Sequence, residues 1–302
     1  MNKQSVYRYL LLMALASLGS AAWASDRSVD ETRPAQADGD VRISNLAGSV
    51  EVQGWARNEV HVSGELAESV ERLEFSSDAN GVQIRALLRD DRHEDIDGTR
   101  LIVQVPVASR VSVDTASAEI VVKEVAGTQR LQSISGDIQL TSKAADISIE
   151  TISGTVILQG SGEGAHVEVS SISGDIRISG IRGDLSAASV SGDMEILDSV
   201  LARGEFSNTS GDTTFANAVQ NAGHYEFSSV SGDIDLRFPA LPDAVFDIST
   251  FSGEIDNAFG PEPEKASEYS PGLELHFTQG KGGAQVTLNS LSGEVSLRVA
   301  GK

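Results

Sequence analysis

A short motif recurs along most of this chain and restricts it to a stacked architecture. Ser-Gly followed by Asp, Glu or Thr stands at Gly136, Gly154, Gly174, Gly192, Gly211, Gly232, Gly253 and Gly293, with a degenerate copy at Ala118. From Ala118 to Gly253 the steps are 18, 18, 20, 18, 19, 21 and 21 residues, and the last step, to Gly293, is 40, read as two periods with one copy degenerate or replaced. A unit this short cannot bury an apolar side alone, so copies must stack on one another.

Alignment on the motif glycine gives four apolar columns, all expected in the core. Five residues before it stand Val113, Leu131, Ile149, Val169 and their equivalents; two before it stand Ile134, Ile152, Ile172, Val190 and Val230. Two and four after it stand Ile138, Val156, Ile176 and Leu140, Leu158, Ile178. The spacing predicts an all-β fold, a single-stranded parallel β-solenoid (β-helix) with coils of about 19 residues. The glycines are expected as structural turns, needed where a sharp corner demands positive φ.

The flanks differ from the repeat. Residues 1–24 read as a signal peptide, with Lys3 and Arg8 before an apolar run and Ala22-Trp23-Ala24 as cleavage site. Residues 25–40 are expected as a flexible lead-in, 41–110 as an N-terminal β cap, 111–258 as the solenoid repeats, and 259–302 as a hairpin-like C-terminal cap carrying the last repeat. Only Leu66 to Leu73 suggests a helix, and Pro106 marks a strand edge or end.

Charge and composition narrow the partners. The 302 residues carry 44 acidic and 23 basic side chains, a net charge of −21, and loss of the signal segment removes two of the basic ones, giving −23. Such a surface repels phosphate backbones and anionic headgroups, so nucleic acid is excluded as a partner. No cysteine is present, which removes disulfides, thiol chemistry and lipid attachment, and no stretch after the signal could make an integral membrane segment.

These residues resemble a bacterial putative-adhesin family of β-strand-repeat proteins, a domain-of-unknown-function family. The resemblance spans about residues 41–300 and rests on Asn45-Leu46-Ala47-Gly48-Ser49-Val50-Glu51-Val52, Gly54-Trp55, Val103-Gln104-Val105-Pro106 and the serial Ser-Gly-Asp corners. It implies an extracytoplasmic β-solenoid of the cell envelope with no catalytic residues to carry over; the periplasm is the location expected, with the cell surface or secretion as alternatives.

Two columns invite chemistry. Asp137, Asp175, Asp193, Asp212 and Asp233 follow the motif glycines, and stacking would bring them about 5 Å apart, where like charges repel. A weak calcium ladder is one answer; the preferred one has each Asp accepting a hydrogen bond from its own turn. The serines before the glycines recur in every coil, which suits a hydroxyl ladder and not a single nucleophile needing one base and one oxyanion site. The five histidines show no ligand spacing. The acidic run from Arg89 to Asp97 reads as a solvated loop, and Trp55 as core more than sugar platform.

The function expected is a non-enzymatic envelope scaffold that binds, adheres or spaces, with an unknown protein or glycan as partner and no cofactor. An envelope stress or signalling partner is the alternative. A polysaccharide-acting β-helix enzyme ranks below both, resting on fold analogy alone.

Overall fold

The computed structural model describes residues 27–89, 98–267 and 271–299; the expected signal peptide and most of the Arg89–Asp97 run lie outside the described residues. Among the described residues every regular element is a strand, and most pair in parallel. The period-2 alternation of each repeat places its −5, +2 and +4 residues inward, and the ladder stacks them without offset: Leu131 pairs with Ile149, Ile149 with Val169, Val169 with Ala187. Leu131, Ile149, Ile138, Val156, Leu140 and Leu158 are all buried.

Each repeat supplies two strands on either side of its corner, and these run in sequence order through the middle of the molecule. Arg110–Lys123 is followed by Gln129–Ser133 with Ile138–Thr141, Asp146–Thr151 with Val156–Gln159, and Ala165–Ser171 with Ile176–Ser179. Arg182–Ser189 with Met194–Leu197, Val200–Ser210 with Thr213–Ala216, and His224–Ser231 with Ile234–Phe238 continue the stack.

At both ends the spatial order departs from the sequence order. Asp40–Trp55 pairs in parallel with Arg110–Lys123, Val41 opposite Val111 and Val50 opposite Ile120, and its other edge takes Gly81–Leu88 and Thr99–Pro106. The parallel ladder therefore extends into the segment expected to be a cap. Its corner escapes the motif because Ala47 and Ser49 flank Gly48 where most other coils have serine and an acid, and Asn45 stands in for the hydroxyl residue, its amide donating to the carbonyls of Ala47 and Thr99. At the other end, Ala284–Ser292 with Val295–Val299 lies between His224–Phe238 and Ala244–Asn257. The 40-residue step is thus not two periods with a lost copy. The last repeat in sequence is the penultimate layer in space.

Antiparallel strands lie outside the parallel stack at each end. Glu59–Glu65 pairs with Thr99–Pro106, Ser28–Pro34 with Glu59–Glu65, and Val70–Asp78 with Gly81–Leu88. Leu273–Gln279 pairs with Ala244–Thr250 and carries Glu264–Lys265. Two local expectations are corrected here. The flexible lead-in contains the strand Ser28–Pro34, whose polar residues are tolerated because it is an edge with little to bury. No helix forms at 66–73; a turn leads into Val70–Asp78, where pairing with Gly81–Leu88 overrides a weak helical pattern. Thr99–Pro106 does end at its proline.

The interior changes character toward the C-terminal end. Phe206, Phe215, Tyr225 and Phe227 form one ring cluster, with centroids 4.9 Å apart for Phe206 and Phe227, and Phe238, Phe246, Phe259 and Phe277 form another. The Tyr225 hydroxyl donates to the Leu201 carbonyl at 2.7 Å and accepts from the Gln220 N–H at 2.8 Å, so its burial leaves no polar atom stranded. That burial pushes its pKa above 10.0.

Candidate functional site: an exposed aliphatic column

The corner of each coil holds the motif, and its geometry explains most of the recurring residues. The hydroxyl three before the glycine points inward: Ser133, Thr151, Ser171 and Ser189 accept the N–H of Gly136, Gly154, Gly174 and Gly192 at 2.8 to 3.1 Å. Asn208 donates instead, to the carbonyls of Gly192 and Gly211. These are turn-closing bonds. Of the serines directly before the glycine, Ser153, Ser252 and Ser292 donate to carbonyls of the adjoining coil.

The glycines serve a purpose other than the one expected. Gly136, Gly154, Gly174, Gly192, Gly211 and Gly253 do not adopt positive φ; of the motif positions only Gly232 and Gly293 do. A Cβ on Gly136 would instead strike the carbonyl of Ala118, on Gly154 that of Gly136, on Gly174 that of Gly154, and on Gly192 that of Gly174. Glycine is required because the coils touch backbone to backbone at this corner. The same contacts follow the spatial order at the end, where Gly253 abuts Gly293 and Gly293 abuts Gly232.

The aspartates pair across coils and not within their own turn, which corrects the second expectation. Asp137 Oδ1 accepts the N–H of Thr155 at 2.9 Å, Asp175 that of Asp193 at 3.0 Å, Asp193 that of Asp212 and Asp212 that of Asp233 at 2.9 Å, and Asp233 that of Glu294 at 2.7 Å. A carboxylate receiving an N–H bond from the next layer gains an attraction that offsets repulsion along the column. Among the described residues no three His, Asp or Glu side chains come together as metal ligands.

The column two before the glycine was expected in the core, and the structure places it outside. Ile134, Ile152, Ile172, Val190, Val230, Leu291 and Phe251 are 45 to 60% exposed. The corner itself reverses them: strand alternation buries −5 and −3, so −2 faces solvent, and the turn then resets the phase so that +2 is buried. Equal hydrophobicity in all four columns concealed that reset. In spatial order the column runs Leu46, Ala116, Ile134, Ile152, Ile172, Val190, Thr209, Val230, Leu291, Phe251. At about 4.8 Å per layer it is about 43 Å long. Between Ile134, Ile152 and Ile172 and the outward Gln132, Glu150 and Ser170 lies a shallow groove.

Corner geometry does not require aliphatic residues here. Ala116 and Thr209 occupy the same position in stacked coils, there inside the strands Arg110–Lys123 and Val200–Ser210, whereas Ile134, Ile152, Ile172 and Val190 stand just past the ends of theirs. The exposed apolar residues form two runs, Ile134 to Val190 and Val230 to Phe251, on either side of Thr209, and clustered apolar surface is characteristic of interaction sites.

Trp55 is half-buried, its indole N–H donating to the Glu59 carbonyl at 2.8 Å with the Arg57 guanidinium 4.9 Å over the ring. The ring is thus held by its own hairpin. No helix among the described residues is long and apolar enough to cross a membrane.

The match to a sequence-family model agrees with an all-β, mostly parallel sheet. The sequence model of the family described as Toastrack DUF4097 matches residues 94–298. Among solved structures, a putative cell adhesion protein from Clostridium sporogenes ATCC 15579 is 8% identical, with 90% of this chain and 99% of that chain covered and a TM-score of 0.22. A putative adhesin from Parabacteroides merdae ATCC 43184 is also 8% identical, with 89% and 96% covered and a TM-score of 0.40. No curated protein matches the chain.

Proposed function

This chain belongs to the Toastrack DUF4097 family, and from that membership and its surface we propose that it is a non-enzymatic, extracytoplasmic binding scaffold of the cell envelope. The observation that carries this reading is the exposed aliphatic column, held in line by a backbone-to-backbone stack. A rigid rod presents its side chains at fixed spacing, so little ordering entropy is lost when a partner docks. The antiparallel strands at the two ends act as caps that keep the parallel ladder from pairing with further chains. The hydroxyls three before the glycines close the turns and the aspartates after them tie each coil to the next, which suits a structural repeat.

Two measurements test the proposal. A photo-crosslinking side chain at position 152 should give a defined adduct in intact cells that disappears with Ile134→Thr/Ile172→Thr, whereas one at position 166 should not; identical adducts from both positions, or none, would remove the column as the binding surface. Native protein should resist added protease on intact cells and become accessible after outer-envelope permeabilisation if it is periplasmic. Access without permeabilisation places it on the surface, and protection under both conditions would overturn an extracytoplasmic location.

A further inference from the structure

We infer that the occupant of the aliphatic column is a cationic amphipathic helix of a partner protein, lying along the solenoid axis; this rests on the column being a binding surface. The argument begins with charge. In each coil the six residues from four before the motif glycine to one after it form the band that contains the column. Across the ten coils, from Ser44–Ser49 to Ser249–Glu254, that band holds no Lys, Arg or His, and nine of the ten carry at least one Asp or Glu. The chain has 23 basic residues, and all of them lie elsewhere. Those on the neighbouring outward columns are engaged: Arg42 with Asp40 at 3.4 Å, Arg130 with Glu150 at 2.8 Å and Arg177 with Glu195 at 2.5 Å.

An aliphatic line flanked by carboxylates, of which Glu150 alone among the described residues is paired with a cation, selects against several occupants. A second copy would set two acidic margins against each other, and an anionic lipid surface or acidic glycan meets the same repulsion. A cationic partner with an apolar face satisfies both parts of the surface.

Backbone geometry determines how such a partner binds. The N–H groups of Ser135, Ser153, Ser173 and Ser191 are bonded to the carbonyls of Ala116, Ile134, Ile152 and Ile172, so the corner has no free edge for an added strand. Docking must use side chains, which is the helix-in-groove mode. A helix repeats its apolar face about every 5.4 Å against a layer spacing of about 4.8 Å, so about eight turns cover about nine layers and the helix meets the column as an apolar line, not residue by residue. At about 1.5 Å per residue, a helix of about 28 residues would span the whole column.

The test uses the full-length mature chain and four synthetic peptides of about 28 residues, this length following from the helical rise. Three share one leucine face and carry Lys, Gln or Glu elsewhere; the fourth has the Lys peptide's composition in an order without an apolar face. Binding is read by fluorescence anisotropy against the natural chain, Ile134→Thr/Ile152→Thr/Ile172→Thr/Val190→Thr, and Asp175→Asn/Asp193→Asn/Asp212→Asn. Threonine already stands at position 209, and asparagine keeps the Oδ1 acceptor, so both variants should keep the natural circular dichroism and melting temperature. The expected result is that the amphipathic Lys peptide binds and weakens at least tenfold in each variant and on raising salt from 50 to 500 mM. If the Gln or Glu peptide binds as well and only the threonine variant loses it, the cationic inference falls while the binding face survives. If no peptide binds, or the scrambled Lys peptide binds as well as the amphipathic one, or the threonine variant binds unchanged, both fall. Should the threonine variant unfold, single Ile152→Thr replaces it with the same readings.

Discussion

The carbonyl oxygen of Gly154 occupies the space that a Cβ on Gly174 would need. The obstacle is backbone, which cannot move aside as a side-chain tip can. Gly174→Ala should therefore separate two layers, breaking the neighbouring ladder bond from Ser173 N–H to the Ile152 carbonyl. We expect a loss of about 3 kcal/mol or more in urea unfolding. Gly164→Ala, at a glycine with no neighbouring atom to meet but a φ of 65°, should cost about 1 kcal/mol.

Ile149 and Ile152 lie three residues apart in one repeat and should respond oppositely. Ile149 is fully buried between Leu131 and Val169, and Ile149→Ala should cost about 2 to 5 kcal/mol through lost burial and a residual cavity. Ile152 is 45% exposed, and Ile152→Thr should stay within about 0.5 kcal/mol of the natural chain while raising solubility. Equal losses at both positions in thermal or urea unfolding would place the column in the core after all.

The layer order at the C-terminal end can be read with engineered cysteines, since the chain has none of its own. Ser228 pairs with Asn289, and Asn289 in turn with Ser249. Adjacent parallel strands lie about 4.8 Å apart, within disulfide range, whereas Ser228 and Ser249 are two layers apart. S228C/N289C should oxidise to a monomeric disulfide and S228C/S249C should not. The reverse outcome on non-reducing mass analysis would mean that the repeats stack in sequence order.

Asp243 links acid sensitivity to the same insertion. Its carboxylate accepts the N–H groups of Gly283, at 3.1 Å, and Lys281, at 2.6 Å, and these bonds hold its pKa below 3.8, aided by the Lys281 charge. Because the folded value lies below the unfolded one, the contribution to stability is complete above pH 3.8 and is lost as pH falls through the depressed value. Asp243→Asn should flatten the pH dependence of unfolding below pH 3.8 and leave its slope at neutral pH unchanged. Urea titrations between pH 2 and 7 would show this; identical profiles would mean that the turn at 280–283 is held otherwise.

The parallel, all-β stack and three of its four core columns were legible in the sequence because period and alternation are local properties, written wherever an inward position recurs every coil. Leu131, Ile149 and Val169 announce one another. The same local signal misassigned Ile134, Ile152 and Ile172, since hydrophobicity alone cannot show that a corner resets the inward phase. Only the folded corner, with its glycine pressed on the adjoining carbonyl, reveals that these side chains face solvent. Strand order at the ends was likewise decided by tertiary structure. Asp40–Trp55 and Ala284–Val299 are inserted between coils far from them in sequence, and a ladder edge accepts any strand of matching register whatever its distance along the chain. Sequence by itself determined the repeating unit and its acidity, because both reside in single residues and their spacing; the alignment of an aliphatic line inside a band without cations needed the layers placed one upon another.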